Sequence, residues 1–212
     1  MSASQSQPLS LSVNPKLDFA LRLGWENWER AAARLGDDAL ASWLHARLKD
    51  QEVVAEATGL LSALFKEQDP EERAVLRAEL AELVEETDDQ LADTLWEGVL
   101  AFGREADDPD YLFEATQHLA GIAERYGDPL AAAEYFIDFL NWRREGKHAS
   151  DAEPVEAAFE EIARLAEADG EPKAAAIYSF RQTNYHLLVE AEDDRATSGD
   201  WEPDPVPYQS WS

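Results

Sequence analysis

One pattern of thirteen residues occurs twice in this chain, and it constrains the fold more than any other feature. Ala123-Glu-Arg-Tyr-Gly-Asp-Pro-Leu-Ala-Ala-Ala-Glu-Tyr135 aligns with Ala166-Glu-Ala-Asp-Gly-Glu-Pro-Lys-Ala-Ala-Ala-Ile-Tyr178 as A-E-x-x-G-[DE]-P-x-A-A-A-x-Y, at an offset of 43 (166 − 123). A fainter pair, Gly36-Asp-Asp-Ala-Leu-Ala-Ser-Trp-Leu44 and Thr87-Asp-Asp-Gln-Leu-Ala-Asp-Thr-Leu95, is offset by 51 (87 − 36). Glycine at 36, 127 and 170 suits the left-handed residue that closes a helix. The acid that follows, with Pro129 and Pro172, suits the cap and first turn of the next helix. Small residues just past the turn, Ala41, Ala92, Ala132 and Ala175, let the second helix lie close against the first. A large apolar residue four positions on would fill the remaining gap; it is present as Trp96 and Phe136, whereas His45 and Ser179 stand in the other two copies. The chain therefore reads as four helical hairpins.

The chain in order supports that reading. Residues 1–13 have little to bury and are expected to form a flexible leader. Asn14-Pro15 opens a first helix whose apolar series, Leu17, Ala20, Leu21, Trp25, Trp28, Ala32 and Leu35, keeps helical period up to Gly36. A return helix follows from about Asp37 to Lys49. Gln51 to Glu67 reads as an extra helix inserted between hairpins. Asp69-Pro70-Glu71-Glu72 and Asp107-Asp108-Pro109-Asp110 are helix starts, and Gly146 to Ser150 is a loop. The helical-repeat domain spans 14–191. The final helix, with Ile177, Tyr178, Phe180 and Tyr185, is apolar nearly all round, so something should cover it. From Glu192 the chain turns acidic and Pro-rich, with Trp201, Tyr208 and Trp211; no helix is expected, and 192–212 reads as a disordered tail or as a segment whose aromatics dock into a groove, in cis or in trans.

The turn followed by a small residue and then an aromatic resembles the tetratricopeptide family. The match is best in the third hairpin, where Leu119 and Ala120 fall on the family's first-helix positions, Ala132 on its small residue and Phe136 on its aromatic. In the first, Trp25, Trp28 and Ala41 match. Two departures stand out. Spacings of 51, 40 (127 − 87) and 43 exceed the family's repeat of about 34 residues, and Glu29 and Leu80 replace the first-helix small residue. The resemblance implies an all-α, right-handed α-solenoid of about four antiparallel hairpins with one extra helix, whose role is to hold a protein or peptide. An irregular helical bundle is the other arrangement the periodicity allows.

Charge narrows the partner. Against 18 Lys and Arg stand 45 Asp and Glu, for a net charge of −27, which opposes direct binding to nucleic acid or to an anionic membrane and favours a basic or neutral protein partner. The same acidity would suit a high-salt cytoplasm. With no Cys, disulfides, thiol catalysis and thiolate metal sites are excluded; no apolar run approaches the roughly 20 residues of a membrane helix, no signal peptide is visible, and a cytoplasmic location is expected. No phosphate loop or nucleophile elbow occurs, Glu114 and His118 read as a solvated i,i+4 pair, and no catalytic residue, cofactor or metal is assigned. The expected class is a non-enzymatic adaptor, chaperone or assembly subunit, with Trp43, Trp96, Tyr135, Trp142, Arg143, Arg144, Tyr185, Trp201, Tyr208 and Trp211 as candidate partner-binding residues. The competing class is an acidic inhibitor, an immunity protein or nucleic-acid mimic, whose carboxylates would gather on one face.

Overall fold

The structure, a computed structural model, describes residues 14–146, 152–198 and 208–211. These form ten helices and no strand: α1 (Pro15–Leu21), α2 (Trp25–Ala32), α3 (Asp37–Leu48), α4 (Gln51–Leu64), α5 (Pro70–Glu85), α6 (Asp89–Ala106), α7 (Pro109–Arg125), α8 (Pro129–Gly146), α9 (Ala152–Ala168) and α10 (Pro172–Ser198). The expected leader, the loop beyond Gly146 and Trp201 lie outside the described residues. Two compact units divide the chain, Met1–Gly98 and Val99–Ser212, the boundary falling inside α6. Within each, packed helices are neighbours in sequence: α1 on α2, α3 on α4 and α4 on α5 in the first; α7 on α8, α8 on α9 and α9 on α10 in the second.

Local chemistry accounts for most helix starts. Asp50, Asp69 and Asp108 stand at N-caps in extended backbone, and their carboxylates accept from the amides of Glu52 at 2.8 Å, Glu71 at 2.9 Å and Asp110 at 3.0 Å, satisfying donors that a helix start leaves free. Pro70 and Pro109 follow as first helical residues.

The repeated motif of the second unit produces the same turn twice. Gly127 (φ 78°) and Gly170 (φ 81°) adopt the left-handed conformation. Around them Gly127 N–H donates to Glu124 O (2.8 Å) and Asp128 N–H to Ala123 O (3.1 Å), as Gly170 N–H does to Glu167 O (3.1 Å) and Glu171 N–H to Ala166 O (2.8 Å). This paired closure satisfies the last carbonyls of α7 and α9. Three residues after each proline, Ala132 and Ala175 are buried, and both amides donate at 3.1 Å to the backbone carbonyl of the turn's acid, Asp128 or Glu171.

The first unit departs from expectation. The helix expected from Asn14 to Leu35 is broken: α1 ends at Leu21, Leu23 is exposed, and Gly24 (φ 94°) redirects the chain into α2. Apolar period continues across the break because α1 and α2 each bury their own stripe, so periodicity alone does not reveal it. Gly36, read as left-handed, has φ −74° and ψ 156° and serves as the N-cap of α3; the left-handed residue of this region is Lys49, at φ 64° after α3.

At the other end α10 continues to Ser198, past the boundary placed at residue 191. Glu and Ala favour helix, and no proline stands between Pro172 and Pro203. Of the segment read as a disordered tail or as one whose aromatics dock in cis or in trans, Tyr208 and Trp211 pack on the core of the second unit.

Candidate functional site

The surface that holds residues 208–211 is built by α8, α9 and α10. Asn141 on α8 reads the backbone of Tyr208 in both directions: its Oδ1 accepts from the Tyr208 N–H at 2.8 Å and its Nδ2 donates to the Tyr208 carbonyl at 3.1 Å. Next along the segment, the Tyr178 hydroxyl donates to Gln209 O at 2.7 Å, and Trp211 Nε1–H donates to Asp169 Oδ2 at 2.8 Å. Burial pushes the Tyr178 phenol above its ordinary pKa, against the lowering effect of Arg181, so the hydroxyl keeps the proton it donates. Rings set the depth. Tyr208 meets Phe159 edge-on at 5.5 Å, and the guanidiniums of Arg181 and Arg144 lie 4.9 Å and 5.9 Å from its ring centroid. The site thus engages an extended segment through its main chain and two aromatic anchors, a pattern used in peptide recognition.

A different site occupies the first unit. Glu29 on α2 is buried and accepts from two arginines of α5: Arg77 through Nε and Nη2, both 3.0 Å from Oε2, and Arg73 through Nη2 to Oε1. Arg73 also donates through Nη1 to the carbonyls of Leu64 (2.9 Å) and Glu67 (3.1 Å), closing the end of α4. The Arg77 guanidinium lies 5.0 Å from the Trp25 ring centroid, and a Cβ at Gly98 would stand 3.0 Å from Arg77 Cδ, so glycine leaves room for the arginine stem. A cavity of about 360 Å³ opens over this group, lined by Trp25, Glu29, Phe65, Arg73 and Arg77, with Glu26, Arg30 and Ala33 also in its lining. Beyond it, Glu97 accepts from the Trp25 backbone at the uncapped start of α2.

The candidate residues divide sharply. Trp43 and Trp96 are core, 1% and 0% exposed, and each indole N–H is committed to a carboxylate, Asp18 Oδ1 at 2.8 Å and Glu85 Oε2 at 3.2 Å; they fill the interior of the first unit and are no groove anchors. Arg143 is likewise buried, its guanidinium 5.9 Å from the Phe139 ring. Tyr135, Trp142 and Tyr185 are half-buried against the second core; Trp142 stacks on Phe139 at 6.4 Å and Tyr185 meets Phe159 edge-on at 6.0 Å. Arg144, Tyr208 and Trp211 come together at the groove. Asn141, Tyr178, Arg181 and Asp169 were missed there, since polar side chains on a helix give no period that marks them as peptide contacts. The Glu29, Arg73 and Arg77 cluster was also missed, although Arg77 breaks the buried series Ala74, Arg77, Ala81, Val84 on α5, which is a legible signal.

No protein-family model and no curated protein matches the sequence. Among solved structures it is similar to the crystal structure of BtubC (BKLC) from P. vanneervenii, at 15% identity over 95% of each chain with a TM-score of 0.34, too low a value to support any argument about fold or role.

Proposed function

We propose that this chain is a non-enzymatic interaction scaffold, a divergent tetratricopeptide-like right-handed solenoid of the adaptor, chaperone or assembly-subunit kind, acting in the cytoplasm. Its partner is a protein or peptide that presents an extended segment with aromatic anchors. The observation that carries the reading is the seating of residues 208–211, where Asn141 pairs with the main chain while Tyr208 and Trp211 supply the rings. A surface able to hold one such segment of its own chain has the chemistry to hold another. The net charge of −27 adds a preference for basic or neutral partners. No catalytic residue or cofactor belongs to this reading.

The test compares capture from native extract by the full chain and by its Asn141→Ala variant, followed by mass spectrometry and by affinity measurement on the purified partner. The scaffold reading expects the variant to weaken binding about tenfold, the loss of two neutral hydrogen bonds. A partner held equally by both proteins, with affinity falling steeply between roughly 50 and 200 mM salt, would refute it in favour of an acidic inhibitor.

A further inference from the structure

We infer that the cavity of the first unit is a binding site for a small apolar monocarboxylate, held at its charged end by Arg77 and Arg73 and along its body by Trp25 and Phe65. Charge is the first argument. Two guanidiniums share one carboxylate here, so Arg73 and Arg77 against Glu29 leave a surplus of one positive charge, in a chain whose net charge is −27. Burial lowers the pKa of both arginines, and the neighbouring Arg77 charge adds to the effect on Arg73. At the lining of the same cavity, Glu26 and Arg30 offset one another.

Hydrogen bonding is the second argument. Arg77 is 7% exposed, and its Nε and Nη2 are taken by Glu29. Its Nη1 carries two further N–H donors, which meet no acceptor among the described residues, and Arg77 lines the cavity. A planar fork with free donors in a partly desolvated site matches a carboxylate. The surplus of one charge selects a monoanion; a phosphate dianion would leave a negative charge uncompensated inside an acidic protein. A cation is disfavoured because Glu29 already serves both arginines.

Shape is the third. At about 360 Å³ the cavity lies at the small end of ligand sites, enough for a ring or branched chain. Trp25 and Phe65 are both half-buried and offer the apolar wall. A free metabolite and the terminal residue of a peptide present the same chemistry.

The experiment uses the full chain, labelled with nitrogen-15, and follows the Trp25 indole and Arg77 Nε signals during titration with phenylacetate, phenylacetamide and N-acetylphenylalanine. Phenylacetate is expected to shift both signals saturably, with a Kd of about 1 mM or tighter for so small a ligand. Phenylacetamide should bind at least tenfold more weakly. Tighter binding of N-acetylphenylalanine than of phenylacetate would assign the site to peptide termini, and the reverse order to free acids; either order fits a carboxylate site. Glu29→Gln, which raises the surplus charge, should tighten binding severalfold. Arg77→Lys keeps the charge but loses the fork, and should weaken binding about tenfold, with the indole signals of Trp28 and Trp43 reporting that the first unit is folded. The inference is overturned by no saturable shift up to about 10 mM, by equal binding of the amide, or by Arg77→Lys binding as the wild type does. None of these results bears on the groove of the second unit.

Discussion

Replacing Glu29 with glutamine tests how much of the first unit depends on its buried ion cluster. The side chains of Glu29, Arg77 and Arg73 are 11%, 8% and 25% exposed. Glutamine keeps the volume but offers one acceptor in place of two charged oxygens, and it leaves two cations facing one another. Breaking a buried pair by removing one partner costs about 3–5 kcal/mol. Arg73 retains two carbonyl acceptors and both arginines border a water-accessible cavity, so the expected loss is smaller, about 2–4 kcal/mol. The complementary variant, Glu29→Leu with Arg73→Met and Arg77→Leu, removes every charge at once and should fall within about 1 kcal/mol of wild type, since apolar replacement of a buried network is often neutral. Urea unfolding followed at the Trp28 and Trp43 indole signals of the nitrogen-15-labelled chain reads the first unit, whereas bulk fluorescence would add Trp142 and Trp211 of the second. A loss below about 1 kcal/mol for Glu29→Gln, or a triple variant as damaged as the single, would refute the claim that unpaired guanidinium charge is the cost.

Other perturbations give distinct results. Gly127→Ala and Gly170→Ala should each destabilise by about 1 kcal/mol from left-handed strain, since a Cβ at either site meets no atom within 4 Å; Gly36→Ser, in extended backbone at an N-cap, should instead stabilise by about 0.5 kcal/mol, all read by chemical denaturation. On α6, burial and then the Asp89 charge raise the pKa of Asp93, while burial and then Asp93 raise that of Glu97. The folded chain therefore takes up these protons at higher pH than the unfolded chain. The stabilisation should be fully present below the unfolded-state values and be lost as pH rises through the raised folded-state values. Asp93→Asn should flatten that slope and add about 0.5 kcal/mol at pH 7, measured as Tm against pH.

Local signals were the legible part of this fold. Aspartate before proline marked α5 and α7, and the Gly-acid-Pro motif marked the two turns of the second unit, because each acts within five residues. The inserted helix α4 was legible from its apolar content. What failed depended on which face of a helix met what. Trp43 and Trp96 looked like groove anchors because an indole has apolar area and a donor, which serve a partner or a core equally well; here Asp18 and Glu85 complete them from other helices. Gly24 was unread because the apolar stripe resumes in α2. Glu29 and Arg77 lie 48 positions apart, and only three-dimensional packing joins them. Of the groove, sequence offered its occupants, Tyr208 and Trp211, while its walls came from polar residues spread over three helices.

The left-handed residue, acid and proline of the repeated turn also occur between α6 and α7, where Asp107 has φ 57° and Asp108 N–H donates to Gly103 O at 2.9 Å. The turn alone therefore does not define the repeat. Three residues after Pro109 stands Leu112, where Pro129 and Pro172 are followed by Ala132 and Ala175. All three positions are buried, so the difference lies in what each faces. Between α6 and α7 the small residue is on the earlier helix: a Cβ at Gly103 would stand 2.8 Å from the Leu112 backbone nitrogen. In the repeated hairpins it is on the later one. Exchanging the pattern should expose this asymmetry. Ala132→Leu adds three carbons at a site with no exposure and should cost about 1–3 kcal/mol by overpacking, and Ala175→Leu, at 6% exposure, should cost less. Leu112→Ala should cost about 2–5 kcal/mol as a cavity. If Ala132→Leu were neutral in urea unfolding followed by circular dichroism, the alanine would not be what brings α8 against α7, and the repeat would be a likeness of turns without a likeness of packing.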